Sequence, residues 1–296
     1  MKYVFPEDPF NLEPIWTATL DVYQEFVKIC DRHGLRYYVT DGNAIGAVRH
    51  GGFIPWDDDL DVSMPRPDYD EFLSHLDELP PHLKFVNWEN TAEFPMIYGK
   101  IQDTRKVLID DIEKKTGRML SNGVFIDVFP IDGYSESRYY SMCDCFVTSA
   151  VGCLERFKFT KLQCQTMRGR IAWLLGALLS VVLFKLRSHE DIMRFFDWRA
   201  RRITFGSSMI TARASLGKSL TLFYPKSCWG EGVKIDYNGI KVPIPSDYDS
   251  YLKVEYPTYM QLPPESKRHP THEYAVDMPW KYGPTKEYVV PKANER

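Results

Sequence analysis

Between residues 14 and 33, PIWTATLDVYQEFVKICDRH, the apolar side chains Trp16, Leu20, Val22, Tyr23, Phe26, Val27 and Cys30 recur near helical spacing, and Gly34 follows as a stop signal. The pattern predicts an amphipathic helix with one buried stripe. The period then shortens. LRYYVT at 35–40 reads as a strand, Asp41-Gly42-Asn43 as a turn, and AIGAVRH as a short helix ended by Gly51-Gly52. From 59 to 64 the chain alternates, with Leu60, Val62 and Met64 on one face and Asp59, Asp61 and Ser63 on the other. PDYDEFLSHLDEL at 67–79 predicts a helix stopped by Pro80-Pro81, and short strands are expected at 83–88, 96–102, 105–110 and 124–128. Residues 135–206 lack turn signals and carry long helical patterns, whereas 231–244 reads as a β-hairpin turning at Asn238-Gly239, followed by a short helix over 247–256.

This order of elements predicts an α+β fold in which a mixed sheet with helices is interrupted by a helical insertion. The expected division is a catalytic core over 1–134, a helical segment over 135–206, and a hairpin with a C-terminal extension over 207–296 that completes the site. Composition adds exclusions. A net charge of −3, from 37 basic and 40 acidic residues, leaves no general basic surface for nucleic acid. The start MKYVFPEDPFNLEP has no basic segment followed by an apolar core, so a cytoplasmic protein is expected. The six cysteines form no CxxC pair, which fits reduced thiols in a reducing compartment better than zinc.

Four carboxylates, Asp57, Asp58, Asp59 and Asp61, fall within five positions at the start of the alternating strand. Carboxylates sharing one face repel and raise each other's pKa unless a cation lies between them, and a hard divalent ion with oxygen ligands meets that need. Mg²⁺ or Mn²⁺ held by Asp57, Asp59 and Asp61 is therefore expected, with Asp58 pointing away from the shared face. Asp127 interrupts the apolar strand Val124-Phe125-Ile126-Asp127-Val128-Phe129. Buried alone it would cost several kcal/mol, so it needs a partner, which a shared metal would supply. Upstream, strand, Gly turn and helix make a phosphate-friendly arrangement, because Gly42 admits close backbone approach at a helix N-terminus.

A Gly turn after one strand, Asp-apolar-Asp on a second and a single Asp on a third resembles the nucleotidyltransferase fold, matched here by Gly42-Asn43, Asp59-Leu60-Asp61 and Asp127. GNAIGAVRHGGFIPWDDDLDV is similar to the signature of the LicD family, which includes bacterial phosphorylcholine transferases and fukutin-type ribitol-phosphate transferases. FIDVFPIDG and VPIPSDYDSYLKVEYPTYMQLPPESKRHPTH resemble later blocks of that family. Tyr256-Pro257 departs from its usual Tyr-Gly, and Trp229-Gly230 from an expected aromatic-acid pair. The resemblance implies Mg²⁺-dependent transfer of a phospho-alcohol, most simply phosphocholine, from CDP-choline or a related CDP-alcohol to a sugar hydroxyl of a cell-surface glycan such as lipopolysaccharide, capsule or teichoic acid. It implies catalytic roles for Asp59, Asp61 and Asp127, the last as metal ligand or as general base. Gly42, Asn43, Arg49, Lys100, Arg268 and His272 are then expected around the donor, the last four as phosphate clamps.

Two alternatives stay open. A metal-dependent nucleotidyltransferase releasing pyrophosphate would carry a similar site, and a glycan-binding protein would need no such density of carboxylates. Ile171 to Phe184 is fourteen residues without a charge, flanked by Arg168, Arg170, Lys185 and Arg187. About 20 apolar residues are needed to span a bilayer, so a core helix is expected, with a peripheral contact at the inner face of the cytoplasmic membrane as the other reading.

Overall fold

A computed structural model describes residues 3–5, 8–92, 94, 96–105, 123–137, 188–213 and 223–270. The expected helical segment lies mostly outside these residues, as do Ile171 to Phe184, His272 and four of the cysteines; Cys30 and Cys228 are buried free thiols.

Helix α1 spans Glu13–His33. Its start is capped from outside, where the Asp8 carboxylate accepts the backbone N–H groups of Leu12 and Glu13 at 2.7 and 2.8 Å. Its end is closed by Gly34, whose φ of 65° is left-handed. The buried stripe runs from Ile15 and Trp16 through Tyr23 and Phe26 to Cys30, as the periodicity predicts. Strand β1 (Tyr38–Val39) is shorter than the run at 35–40, and α2 (Asp41–His50) begins earlier than AIGAVRH. Strand β2 (Asp61–Pro65) is followed directly by α3 (Arg66–Leu73), where the expected helix over 67–79 breaks into a 3₁₀ turn at Leu76–Glu78. Then come β3 (Leu83–Val86), β4 (Gly99–Asp103), β5 (Phe125–Tyr134), α4 (His189–Ala200), β6 (Ile210–Arg213) and β7 (Phe223–Pro225). The described chain closes with β8 (Val233–Tyr237), β9 (Ile240–Ile244) and α5 (Tyr248–Glu255). Of the strand expected at 105–110, Thr104 and Arg105 form a turn and the remainder lies outside the described residues.

Among the described residues seven strands form one mixed sheet in the order β1-β2-β5-β4-β3, with β6 pairing β5 and β7. The β2–β5 pair is parallel and its neighbours are antiparallel. Leu60, Val62 and Met64 are fully buried, so the apolar half of the alternation at 59–64 is core. An ion-pair network joins the elements: in its buried part Arg66 forks onto Asp132 of β5 at 2.7 and 2.6 Å and reaches Asp197 of α4, while at its exposed end Arg201 bridges Asp197 and Asp70. The β8–β9 hairpin turns at Asn238, φ 51°, and Gly239, φ 83°, as Asn-Gly requires.

Candidate active site

Register builds the centre of the site. In the parallel pair Asp61 lies opposite Asp127, and in the antiparallel pair Asp127 lies opposite Lys100. Opposed residues share a sheet face, so Asp61, Asp127 and Lys100 form a row across three adjacent strands. Lys100 Nζ is 2.8 Å from Asp127 Oδ1 and 3.5 Å from the centroid of Phe125, with both partners of the ion pair nearly excluded from solvent. The partner that Asp127 needs inside the sheet is thus supplied by Lys100.

The other three carboxylates precede the strand. Residues 57–60 make no strand pairing, so alternation does not govern them, and the expectation that Asp58 points away is corrected. Asp58 is buried, and one carboxylate oxygen from each of Asp57, Asp58 and Asp59 lies within 4.8 Å of the others. The cost of this crowding is visible in the protonation equilibria. Burial first, then the charges of Asp59 and Asp58, push the Asp57 carboxyl well above its ordinary range. Burial and the charges of Asp59, Asp127 and Asp57 do the same to Asp61, with Lys100 opposing. Asp57 Oδ2 is shut off from solvent and meets no hydrogen-bond donor among the described residues. A buried acceptor without a donor, inside a cluster of four carboxylates, is the environment a hard cation completes.

Neutral side chains hold this cluster by its backbone. Asn43, fully buried in the first turn of α2, donates its amide N–H to Asp59 O at 2.8 Å and accepts Asp61 N–H at 2.7 Å. It also meets the Tyr237 hydroxyl at 3.2 Å. Trp16 of α1 donates its indole N–H to Asp57 O at 2.6 Å and stacks on Phe53. Asn238 accepts Phe53 N–H at 2.9 Å, and its side chain fills the space a Cβ on Gly52 would need. The hairpin, in whose sequence nothing catalytic stands out, is therefore a wall of the site. At Gly42 a Cβ would come within 2.8 Å of Asp57 Oδ2, so the anion against this glycine is the chain's own carboxylate. Asp41, at φ 52°, is buried and accepts the Tyr251 hydroxyl at 3.1 Å. Tyr237 and Asn238 lie outside the quoted motifs, and only the strong Asn-Gly turn signal could have pointed to them, whereas Tyr251 lies within the C-terminal block VPIPSDYDSYLKVEY.

A basic group adjoins the acidic one. Arg49, near the end of α2, donates to the carbonyls of Tyr259 and Gln261. Arg268 donates to Pro263 O at 2.8 Å and lies over the Trp56 ring, 5.8 Å from its centroid. The two guanidiniums sense each other: burial and then the charge of Arg268 pull the Arg49 pKa below its ordinary value. Neither has a carboxylate partner among the described residues. Two mutually repelling cations that among the described residues hold carbonyls and, for Arg49, the His50 ring nitrogen at 3.3 Å, with no carboxylate, provide for an anion.

Comparison with known proteins agrees with this geometry. Residues 34–153, which contain Asp57, Asp58, Asp59, Asp61, Asp127 and Lys100, match the nucleotidyltransferase domain of LicD/FKTN/FKRP. That stretch is similar to the family's nucleotidyltransferase domain. Over 267 residues the chain aligns at 25% identity with the lipopolysaccharide cholinephosphotransferase LicD of Haemophilus influenzae, covering 86% of this chain and 92% of that one. An uncharacterized protein of Rickettsia prowazekii is 24% identical over 115 residues, 39% of this chain and 41% of its own length. The Gly42-to-Asp61 block that carries the resemblance in sequence is the block that builds the acidic cluster in space.

Proposed function

We propose that this protein is a LicD-like enzyme that transfers phosphocholine from CDP-choline to a sugar hydroxyl of lipopolysaccharide or a related surface glycan. The observation that carries the reading is the row Asp61, Asp127, Lys100 beside the crowded Asp57, Asp58 and Asp59, with two guanidiniums at its edge. The similarity to a lipopolysaccharide cholinephosphotransferase supports the choice of group and acceptor.

Phosphoryl transfer asks mainly for positioning and neutralisation of charge. The carboxylates of Asp57, Asp58, Asp59 and Asp61 fit a divalent cation such as Mg²⁺ or Mn²⁺, which would neutralise the donor's diphosphate and polarise the attacked phosphorus. The chain's own residues do the rest. Asn43 fixes the backbone at Asp59 and Asp61, so these carboxylates are held before the donor arrives. Arg49 and Arg268 grip donor phosphate oxygens with guanidiniums that no carboxylate neutralises. Asp127, paired with Lys100, accepts the proton of the acceptor hydroxyl as it attacks the phosphorus and CMP departs.

Among the described residues no helix is long and apolar enough to cross a membrane. The test of the proposal is a donor screen across CDP-choline, CDP-ethanolamine, CDP-glycerol and CDP-ribitol with Mg²⁺ and lipopolysaccharide, reading CMP. CMP release with CDP-choline alone supports the full reading. Release with another CDP-alcohol replaces the head group, and release with none of them refutes the proposal.

A further inference from the structure

Away from the acidic cluster, the end of α1 meets the turn that follows α3. His33 is the last residue of the helix, while His75 and Glu78 border the 3₁₀ turn. One donor atom from each lies within 4.8 Å of the other two. His33 Nε2 is 2.6 Å and His75 Nδ1 is 3.4 Å from the same oxygen, Glu78 Oε1. We propose that His33, His75 and Glu78 form a second metal site, which takes a borderline cation of the Zn²⁺ class and staples α1 to the segment after α3.

The donor set and its surroundings fit such an ion. A tetrahedral centre with bonds of about 2.0–2.1 Å holds its ligand atoms about 3.4 Å apart, close to the separations here. Two imidazoles and one carboxylate match the preference of Zn²⁺, whereas Mg²⁺ favours oxygen donors, so the two sites sort cations by ligand chemistry. Around this set stands an outer shell. His75 Nε2 is 3.2 Å from Glu71 Oε1, a carboxylate that holds the proton on that nitrogen and leaves Nδ1 as the donor atom. Arg32 holds the other oxygen of Glu78. The rings of His33 and His75 stack with centroids 3.5 Å apart at an interplanar angle of 13°. The three side chains keep 24%, 23% and 21% of their surface exposed, which leaves a path for the ion and for a water in the fourth position. On loading, the proton between His33 and Glu78 is released to solvent and the ion takes its place.

The test uses the full chain carrying Asp59→Asn, in excess MgCl₂, so that the acidic cluster does not compete. Titration with ZnCl₂ should show one ion bound per chain and, at a hundredfold excess over the dissociation constant, a melting temperature raised by about 5 °C. Adding His75→Gln or Glu78→Gln should abolish uptake and the shift while leaving a cooperative zinc-free transition. Should either variant fail to fold, Co²⁺ added to the parent decides: visible bands of a tetrahedral nitrogen and oxygen site support the proposal. No bound ion, undiminished uptake in the folded variants, or thiolate charge-transfer bands with Co²⁺ would each overturn it.

Discussion

Replacing Asp61 by Asn should make the cation-free protein more stable and the enzyme inactive. Asp61 is opposite Asp127 in the parallel pair, and opposed side chains lie about 5 Å apart at Cβ. At an effective dielectric constant of about 20, a like charge at about 5 Å costs about 3 kcal/mol and one at about 8 Å about 2 kcal/mol. Asp59, Asp127 and Asp57 all act on Asp61 in this sense, and Lys100 offsets part of the sum. Uptake of a proton by the wild-type carboxyl relieves part of the rest, which leaves a net gain for Asp61→Asn of about 2 kcal/mol. In a chain of this size that is a melting temperature about 5 °C higher. The amide keeps the shape of the carboxylate but not the charge that complements a cation or orders the donor, so CMP release should fall by a factor of about 10²–10³ or more. Scanning fluorimetry in EDTA gives the first quantity and a coupled CMP assay the second. Added Mg²⁺ should raise the wild-type transition more than that of the variant. A variant that melts below wild type, or that turns over within tenfold of it, refutes the reasoning.

Asn43→Ala removes two buried hydrogen bonds to the backbone at Asp59 and Asp61; a loss of about 2–3 kcal/mol in chemical denaturation is expected, with kcat falling more than KM rises. Arg268→Gln should raise KM for the donor about 10–100-fold with little change in melting temperature, because among the described residues its guanidinium holds one carbonyl and the Trp56 ring; an unchanged KM removes it from the donor site. Since the folded-state pKa values of Asp57 and Asp61 are raised above their unfolded values, stability present at low pH is lost as pH rises from the ordinary carboxylate range through the raised values. The melting-temperature difference between Asp61→Asn and wild type, measured in EDTA, should therefore widen as pH rises, and a difference that narrows contradicts the assignment.

The sequence was most legible where one local rule governs. The stripe of α1, the Asn-Gly hairpin and the core face Leu60-Val62-Met64 follow from periodicity and turn chemistry alone. The facing of Asp61 and Asp127 needs more, since a parallel register between strands some sixty residues apart is set by tertiary packing, yet a lone Asp in an apolar strand already demanded a partner. Strand alternation failed at Asp58 because the chain before β2 is a loop, free to turn three successive carboxylates inward. Lys100 shows the same limit. Its sequence context is an ordinary short strand, and only the β4–β5 register turns it from a surface cation into the buried partner of Asp127. Tyr237 and Tyr251 were invisible for the opposite reason, because buried tyrosines look like core until a hydroxyl is seen to reach Asn43 or Asp41.

The central claim is that the five aspartates and Lys100 serve transfer of a phospho-alcohol rather than of a nucleotide. It is tested most directly by product analysis with two labelled substrates under Mg²⁺: CDP-choline carrying label in the choline, and CTP carrying label in the terminal phosphate. The expected result is label passing from choline to lipopolysaccharide with equimolar CMP and no pyrophosphate from CTP. Pyrophosphate release from CTP, with no label reaching the glycan, would contradict it.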